Sequence, residues 1–255
     1  MRIVFMGTPE FAVPSLQALL KSDDQVVGIV TQPDRPKGRG QALTPPPIKL
    51  IAQQAGIPFL QPAKIRVPEF LTALAAWKPD LIAVTAYGRI LHSPILTMPP
   101  MGCVNVHGSL LPKYRGAAPV QWAVINGETE TGITTMLMDE GMDTGPIWTQ
   151  IEYQIPYATT SPQLFKALSE IGVTAISNSI DLIAKGSTPT AQSGEASIAA
   201  KVKKDECRID WNASAEEILR KIRAFSFNPG VFSFIRGEQV KISEAHLSQG
   251  GLAPG

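Results

Sequence analysis

Cysteine is scarce: Cys103 and Cys207 are the only two in 255 residues. They stand far apart with no metal-type spacing, which excludes a disulfide scaffold and a cysteine-built zinc site. Histidine is scarce as well, at positions 92, 107 and 246. Neither sign of charge dominates: 23 basic residues stand against 22 acidic ones, a net charge of +1. Any polyanionic partner must therefore be met by a local basic patch. No apolar run reaches the ~18–20 residues of a membrane span. The opening MRIVFMG lacks the long apolar region and small-residue cleavage site of a secretory leader, so the cytoplasm is the expected compartment. A G-x-G-x-x-G turn is missing too. The first turn is Gly7-Thr8-Pro9, which does not support a dinucleotide site but leaves a helix N-terminus able to hold an anion.

What is present is an alternation of short buried strands and helices. Residues 2–6 and 80–86 are apolar runs stopped by Gly7 and Tyr87-Gly88, the pattern of buried strands, and 25–31 and 131–138, the latter running into an acidic turn, read as further strands. Thr8 and Pro9 suit the start of a helix carried on by Phe11, Leu16, Leu19 and Leu20. Helices are also expected over 48–55, from Pro68 to Trp77, over 117–126 before Gly127, and from Ser161-Pro162 to Lys185-Gly186. A strand–helix–strand opening of this kind predicts an α/β fold with a doubly wound, Rossmann-like, mostly parallel sheet. The stretch 32–47 differs. Five prolines and two glycines in sixteen residues argue against regular structure. With Arg35, Lys37 and Arg39 against Asp34, it reads either as a solvated loop or as a basic arm for phosphates.

After residue 186 the composition turns small and polar. Residues 187–204 read as a linker leading to Lys201, Lys203 and Lys204. The chain is thus divided into a first domain over 1–186, that linker, and a C-terminal segment over 205–255. In the last, Ser214 to Glu217 forms a capping box, and 231–242 alternates around Gly237 like a hairpin.

One stretch concentrates chemistry: CVNVHGSLLPKYRGAAP, residues 103–119. In a strand, positions i and i+2 share a face. Val104 and Val106 then suit a core while Asn105 and His107 project together on the other side. An amide donor beside a general acid/base is a pairing that acyl-group chemistry uses. Asp143 is the natural third member, because a carboxylate beside an imidazole fixes its tautomer. A surface-turn aspartate remains the alternative. Asp143-Thr144-Gly145 also matches the aspartic-protease triplet, but that chemistry needs two such aspartates in an all-β setting. Ser109 suggests a nucleophile, yet H-G-S-L-L is not G-x-S-x-G, and a turn or ligand hydrogen bond suits it better. His92 and His246 are read as structural or solvated.

These residues carry a family resemblance. GTPEFAVPSL at 7–16, AYGRIL at 86–91, NVHGSLLPKYRGAAP at 105–119 and MDEGMDTGPI at 138–147 together resemble the 10-formyltetrahydrofolate-dependent formyltransferases. GTPEFA with TQPDRPKGRG at 31–40 resembles the methionyl-tRNA formyltransferase branch in particular. The resemblance implies transfer of a formyl group from 10-formyltetrahydrofolate to the α-amino group of initiator methionyl-tRNA, with no metal. It implies catalytic roles for Asn105, His107 and Asp143. It implies a folate pocket built from Ala86, Tyr87, Ile90, Leu91, Ser109, Leu110, Leu111, Pro112, Met138 and Asp139. It implies tRNA contacts from Arg35, Lys37, Arg39, Lys201, Lys203 and Lys204, and a monomer is expected. Related enzymes that formylate sugar nucleotides or hydrolyse the same folate share the Asn/His/Asp set but should lack the basic loop. Two departures from the family pattern stand out: AFSFNPG at 224–230 replaces a shorter turn, and the family's C-terminal β-barrel of oligonucleotide-binding type would extend beyond residue 255. Weaker tRNA affinity is the expected consequence.

Overall fold

The structure is a computed structural model and describes residues 1–37, 40–226 and 229–247, with the side chain of Lys37 outside the description. The chain opens with β1 (Arg2–Gly7), a 3-10 turn over Glu10–Ala12, α1 (Val13–Lys21) and β2 (Gln25–Val30). A small ribbon follows, β3 (Arg35–Lys37) and β4 (Ala42–Thr44), then α2 (Pro47–Gln54), β5 (Phe59–Leu60) and α3 (Pro68–Ala76). Next come β6 (Leu81–Thr85), α4 (Ser93–Leu96), β7 (Cys103–His107), β8 (Arg115–Gly116) and α5 (Pro119–Asn126). The series ends with β9 (Glu130–Leu137), β10 (Ile147–Gln154), α6 (Ser161–Ala184), β11 (Ile198–Ala199), α7 (Ala215–Phe225), β12 (Val231–Ile235) and β13 (Glu238–Ile242).

The main sheet has seven strands in the order β10-β9-β7-β6-β1-β2-β5. Strands β5, β2, β1, β6 and β7 run parallel, while β9 and β10 are antiparallel additions at one edge. Alternate residues explain why the sheet is buried on both faces. Ile3 and Phe5 of β1 join one apolar cluster with α1, α5 and α6, whereas Val4 and Met6 join another with α3 and α4. Both faces are dry, so the strands read as unbroken apolar runs instead of alternating ones. Truncating a fully buried ring such as Phe5 would cost about 3–5 kcal/mol.

Two local expectations are corrected. Thr8 does not cap a helix: the 3-10 turn starts after Pro9, and the Thr8 hydroxyl donates to the Tyr87 carbonyl at 3.1 Å. A tertiary acceptor has outcompeted the local cap. The proline-rich stretch is not irregular throughout, since β3 and β4 pair with Arg35 opposite Thr44 and Lys37 opposite Ala42. A two-stranded ribbon has open edges, so Pro36 need not donate to a ladder. Arg39 lies outside the described residues.

The stretch 187–204 is clipped onto the first 186 residues at several points. Thr190 exchanges backbone hydrogen bonds with Ile147, β11 pairs with β8, and the Trp122 indole donates to the Ala200 carbonyl at 2.8 Å. Beyond it, Cys207, Ile222, Phe225, Val231 and Phe232 join the same apolar cluster as α1 and α6. α7 is capped at Ser214, whose hydroxyl accepts from the Glu217 amide. β12 and β13 form the expected antiparallel pair and leave Phe234 and Ile235 exposed. Among the described residues no helix is long and apolar enough to cross a membrane.

Candidate active site

β7 ends at His107 beside the carboxyl end of β6, the edge at which open α/β sheets place their ligands. Val104 and Val106 are buried in the cluster shared with α1 and α6. Asn105 and His107 therefore occupy the opposite face, as the alternation requires. Asn105 is half-buried, and its side-chain amide makes no hydrogen bond among the described residues.

His107 is held from both ring nitrogens. Nε2 lies 2.8 Å from the Tyr114 carbonyl. A carbonyl only accepts, so Nε2 carries a hydrogen. Nδ1 lies 3.6 Å from Asp143 Oδ2. That separation permits ion pairing but exceeds an ordinary hydrogen bond, so Nδ1 is left with room for another partner. The same Asp143 oxygen accepts the Gly116 amide hydrogen at 2.8 Å. Asp143 itself adopts φ +54°, in the left-handed region that aspartate tolerates better than most residues.

Tyr114 is built in firmly. Its φ is +60°, its amide donates to Ser197 Oγ at 2.9 Å, and its hydroxyl donates to Glu128 at 2.5 Å while accepting from Asn126 at 3.0 Å. Burial first, and then the Glu128 carboxylate, push this phenol up to about 12. Its structural role was not read from the sequence, because Ser197 and Glu128 meet it only after folding. Gly116, at φ +115°, passes so close to Ala199 that a Cβ would lie 2.8 Å from the carbonyl oxygen. In the 138–147 loop, a Cβ on Gly145 would collide with the Leu137 carbonyl. This close approach explains the glycine in Asp-Thr-Gly without any protease chemistry.

The residues expected around a folate ligand divide. Ile90 and Leu91 line a cavity of about 520 Å³ together with Ile65, Leu71, Ile95 and Arg66. Glu140, from the loop that carries Asp143, closes one side of it. Met138 and Asp139 line a neighbouring cavity of about 560 Å³. Ala86 and Tyr87 line neither of the two. The Tyr87 carbonyl instead collects the Thr8 hydroxyl and the Gln32 amide, and its buried phenol is pushed up to about 12 by desolvation. Of the two readings of Ser109, a turn or a ligand hydrogen bond, the structure shows the turn, and Ser109 lines neither cavity. It is fully buried, and its hydroxyl donates to the Lys113 carbonyl at 2.6 Å. Leu110 packs against Gly132 of β9, and the amide of buried Leu111 donates to the Thr134 hydroxyl oxygen at 3.0 Å. Pro112 accepts the Ser197 amide hydrogen at its carbonyl. Residues 109–112 therefore form the turn beneath His107 and do not line either cavity.

Of the expected cationic contacts, Arg35 is exposed on β3 and donates to Gln32 at 3.1 Å. Asp34, counted against it in the sequence, is drawn away: Gln61 donates to it and Lys49 of α2 pairs with it at 2.7 Å, and together they lower its carboxyl below the usual value. Lys201, Lys203 and Lys204 are exposed, and none of their ammonium groups has a carboxylate partner within 4.0 Å among the described residues.

A side-chain amide without a partner among the described residues and a braced His/Asp pair thus stand together at the carboxyl edge of the parallel strands. Residues 1–180 match the family model described as formyl transferase, and residues 201–255 match the formyl transferase C-terminal domain. The chain belongs to the formyl transferases. Within them it belongs to the methionyl-tRNA formyltransferase family. It is 53% identical to "Methionyl-tRNA formyltransferase" of Desulfotalea psychrophila over 97% of this chain and 77% of that protein. It is 52% identical to the Synechococcus protein of the same name over 95% of this chain and 76% of that one. Among solved structures, "Methionyl-tRNA formyltransferase from Clostridium thermocellum" superposes with a TM-score of 0.71 at 19% identity, covering 98% of this chain and 95% of that one. HypX from Aquifex aeolicus in complex with tetrahydrofolic acid gives 0.70 at 20% identity, over 96% of this chain and 37% of that one. At these identities the two structures speak to the fold alone.

Proposed function

We infer that Asn105, His107 and Asp143 carry formyl transfer from 10-formyltetrahydrofolate to the α-amino group of initiator methionyl-tRNA, in the cytoplasm. The observation that carries this reading is the free amide of Asn105 beside the His107–Asp143 pair. The amine of the aminoacyl ester adds to the formyl carbon, and negative charge develops on the formyl oxygen. Asn105 donates a hydrogen bond to that oxygen, an interaction that strengthens as charge develops. His107, with Nε2 already engaged by Tyr114, offers Nδ1 to the same region. Asp143 balances the imidazolium when it forms and accepts a proton from the amine directly or through one water. As the carbon–nitrogen bond to the folate breaks, that nitrogen regains a proton. No residue is acylated, because the attacking atom belongs to the substrate.

The cavity between Ile90, Leu91 and Ile95 suits the flat rings of a folate, with apolar walls and few fixed polar groups. Arg66 at its rim offers a cation to a carboxylate. Arg35, Lys37 and Arg39 of the 32–47 stretch and Lys201, Lys203 and Lys204 of the 187–204 stretch are the candidates for phosphate contacts.

The test is an assay with formyl-labelled 10-formyltetrahydrofolate and three acceptors: methionyl-tRNA, an amino-sugar nucleotide, and water alone. Label on the tRNA only is the expected result. Label on the sugar, or free formate without an acceptor, would overturn the reading.

A further inference from the structure

Asp143 lies in an exposed loop with a left-handed backbone, and something must hold it opposite His107. The Gly116 amide secures one carboxylate oxygen. The backbone is secured from a part of the chain that belongs to neither strand end. The side-chain amide of Gln192 donates to the Asp143 carbonyl at 2.8 Å and to the Gly145 carbonyl at 2.8 Å. Its oxygen in turn accepts from Arg115 Nε at 3.1 Å and from the other guanidinium nitrogen at 2.6 Å. All four hydrogen-bonding positions of one glutamine side chain are used. Arg115 is the residue before Gly116 and the residue after Tyr114. One side chain therefore ties the loop carrying Asp143 to the segment that supplies both other contacts of the His107–Asp143 pair. Gln192 is half-buried, while Ala191, Ser193, Gly194 and Glu195 around it are exposed. The stretch is thus anchored here by this side chain.

We propose that Gln192 is a positioning residue for formyl transfer: it fixes the Asp143 backbone so that the carboxylate faces His107 Nδ1. This rests on the assignment of Asp143 above. The mechanism is geometric. Two hydrogen bonds to the carbonyls of residues 143 and 145 in a tight loop define its orientation, and loss of them lets the carboxylate drift from a contact that is already 3.6 Å long.

The test uses the full chain and measures kcat and KM for both substrates in Gln192→Met, Gln192→Glu, Asp143→Asn and the double variant Gln192→Met/Asp143→Asn. Methionine keeps the length of the side chain without its hydrogen bonds. Glutamate keeps the acceptor for Arg115, and so the anchor to the fold, but removes the donors to residues 143 and 145. Each Gln192 variant should lower kcat on the order of 10–100-fold, as loss of an orienting partner or a small misplacement does elsewhere. KM should stay within about twofold for both substrates. In the Asp143→Asn background, Gln192→Met should change kcat by no more than about twofold, because residues acting as a unit are not additive. A full multiplicative loss in the double variant would overturn the positioning role, as would wild-type kcat in Gln192→Glu. Wild-type kcat in Asp143→Asn would instead overturn the assignment of Asp143, and this proposal with it. Should Gln192→Met fail to fold, Gln192→Glu alone and in the Asp143→Asn background decides.

Discussion

The Tyr114 carbonyl accepts the Nε2 hydrogen of His107 at 2.8 Å, and this contact assigns the imidazole its tautomer. With Nε2 protonated by necessity, the free lone pair of the neutral ring sits on Nδ1, the nitrogen that faces Asp143. The division of labour differs from a serine-type triad, where the carboxylate holds one nitrogen and the other nitrogen does the chemistry. Here a backbone carbonyl holds one nitrogen, and the carboxylate faces the other.

The first prediction concerns Asn105. Its side-chain amide has no hydrogen-bond partner among the described residues, so replacing it by alanine costs the fold little. Asn105→Ala should lower kcat by about 10²–10³, the loss expected for one donor to a developing oxyanion. Thermal unfolding should move by no more than a few degrees, an expectation for a half-exposed polar group with no internal hydrogen bond. Unchanged kcat would remove Asn105 from the mechanism.

The second concerns Gly116. A Cβ there meets the Ala199 carbonyl, and φ +115° is disfavoured for alanine. Gly116→Ala should destabilise the protein by roughly 1–3 kcal/mol and lower kcat as well, since the Gly116 amide is a fixed donor to Asp143. Denaturant unfolding and steady-state kinetics on one preparation would check both effects.

A third prediction separates charge from catalysis. Lys201, Lys203 and Lys204 have no ion-pair partners among the described residues. Each change to alanine should weaken tRNA binding and reduce the slope of log Kd against log salt by about one. At saturating tRNA, kcat should hold. A salt slope unaffected by all three changes would show that these lysines do not touch phosphate.

Both thiols are predicted to be inert. Cys103 and Cys207 are fully buried. Burial pushes the Cys103 thiol up to about 12, and burial followed by the nearby Glu206 carboxylate raises that of Cys207. The reactive thiolate is therefore scarce throughout the neutral range. Alkylation at pH 8 should label neither cysteine in the native protein and both after denaturation.

The cap of α7 carries a pH signature. The Ser214 hydroxyl and amide both donate to the Glu217 carboxylate, lowering it from its ordinary 4.5. A lowered carboxyl favours the folded state above its unfolded value, and the contribution disappears as pH falls below that value. Ser214→Ala should cost about 1 kcal/mol at pH 7. The difference between variant and parent should shrink as pH is taken below about 4, because the protonated carboxyl is the weaker acceptor.

Much of this protein was legible without coordinates. The apolar runs at 2–6 and 80–86 are the pattern of strands in a sheet covered on both sides. The i, i+2 spacing put Asn105 and His107 on one face whichever way the chain was wound. Local capping at 214–217 and the glycines at 127 and 186 set helix ends because those signals act within one turn. The sequence could not say which groups meet across long separations. It did not place Tyr114 at Nε2 of His107, because that contact depends on a left-handed turn held by Ser197 and Glu128. It left Gln192 in a polar stretch with no local pattern, although Gln192 lies 49 residues from Asp143. It offered Ser109 as a ligand-facing hydroxyl when the nearest acceptor, the Lys113 carbonyl, was only a turn away. Periodicity and local turns are set by neighbours in the chain, and the amino acids name them. The arrangement of the His107–Asp143 pair is set by hydrogen bonds between segments that are adjacent only in space, and tertiary structure alone decided those.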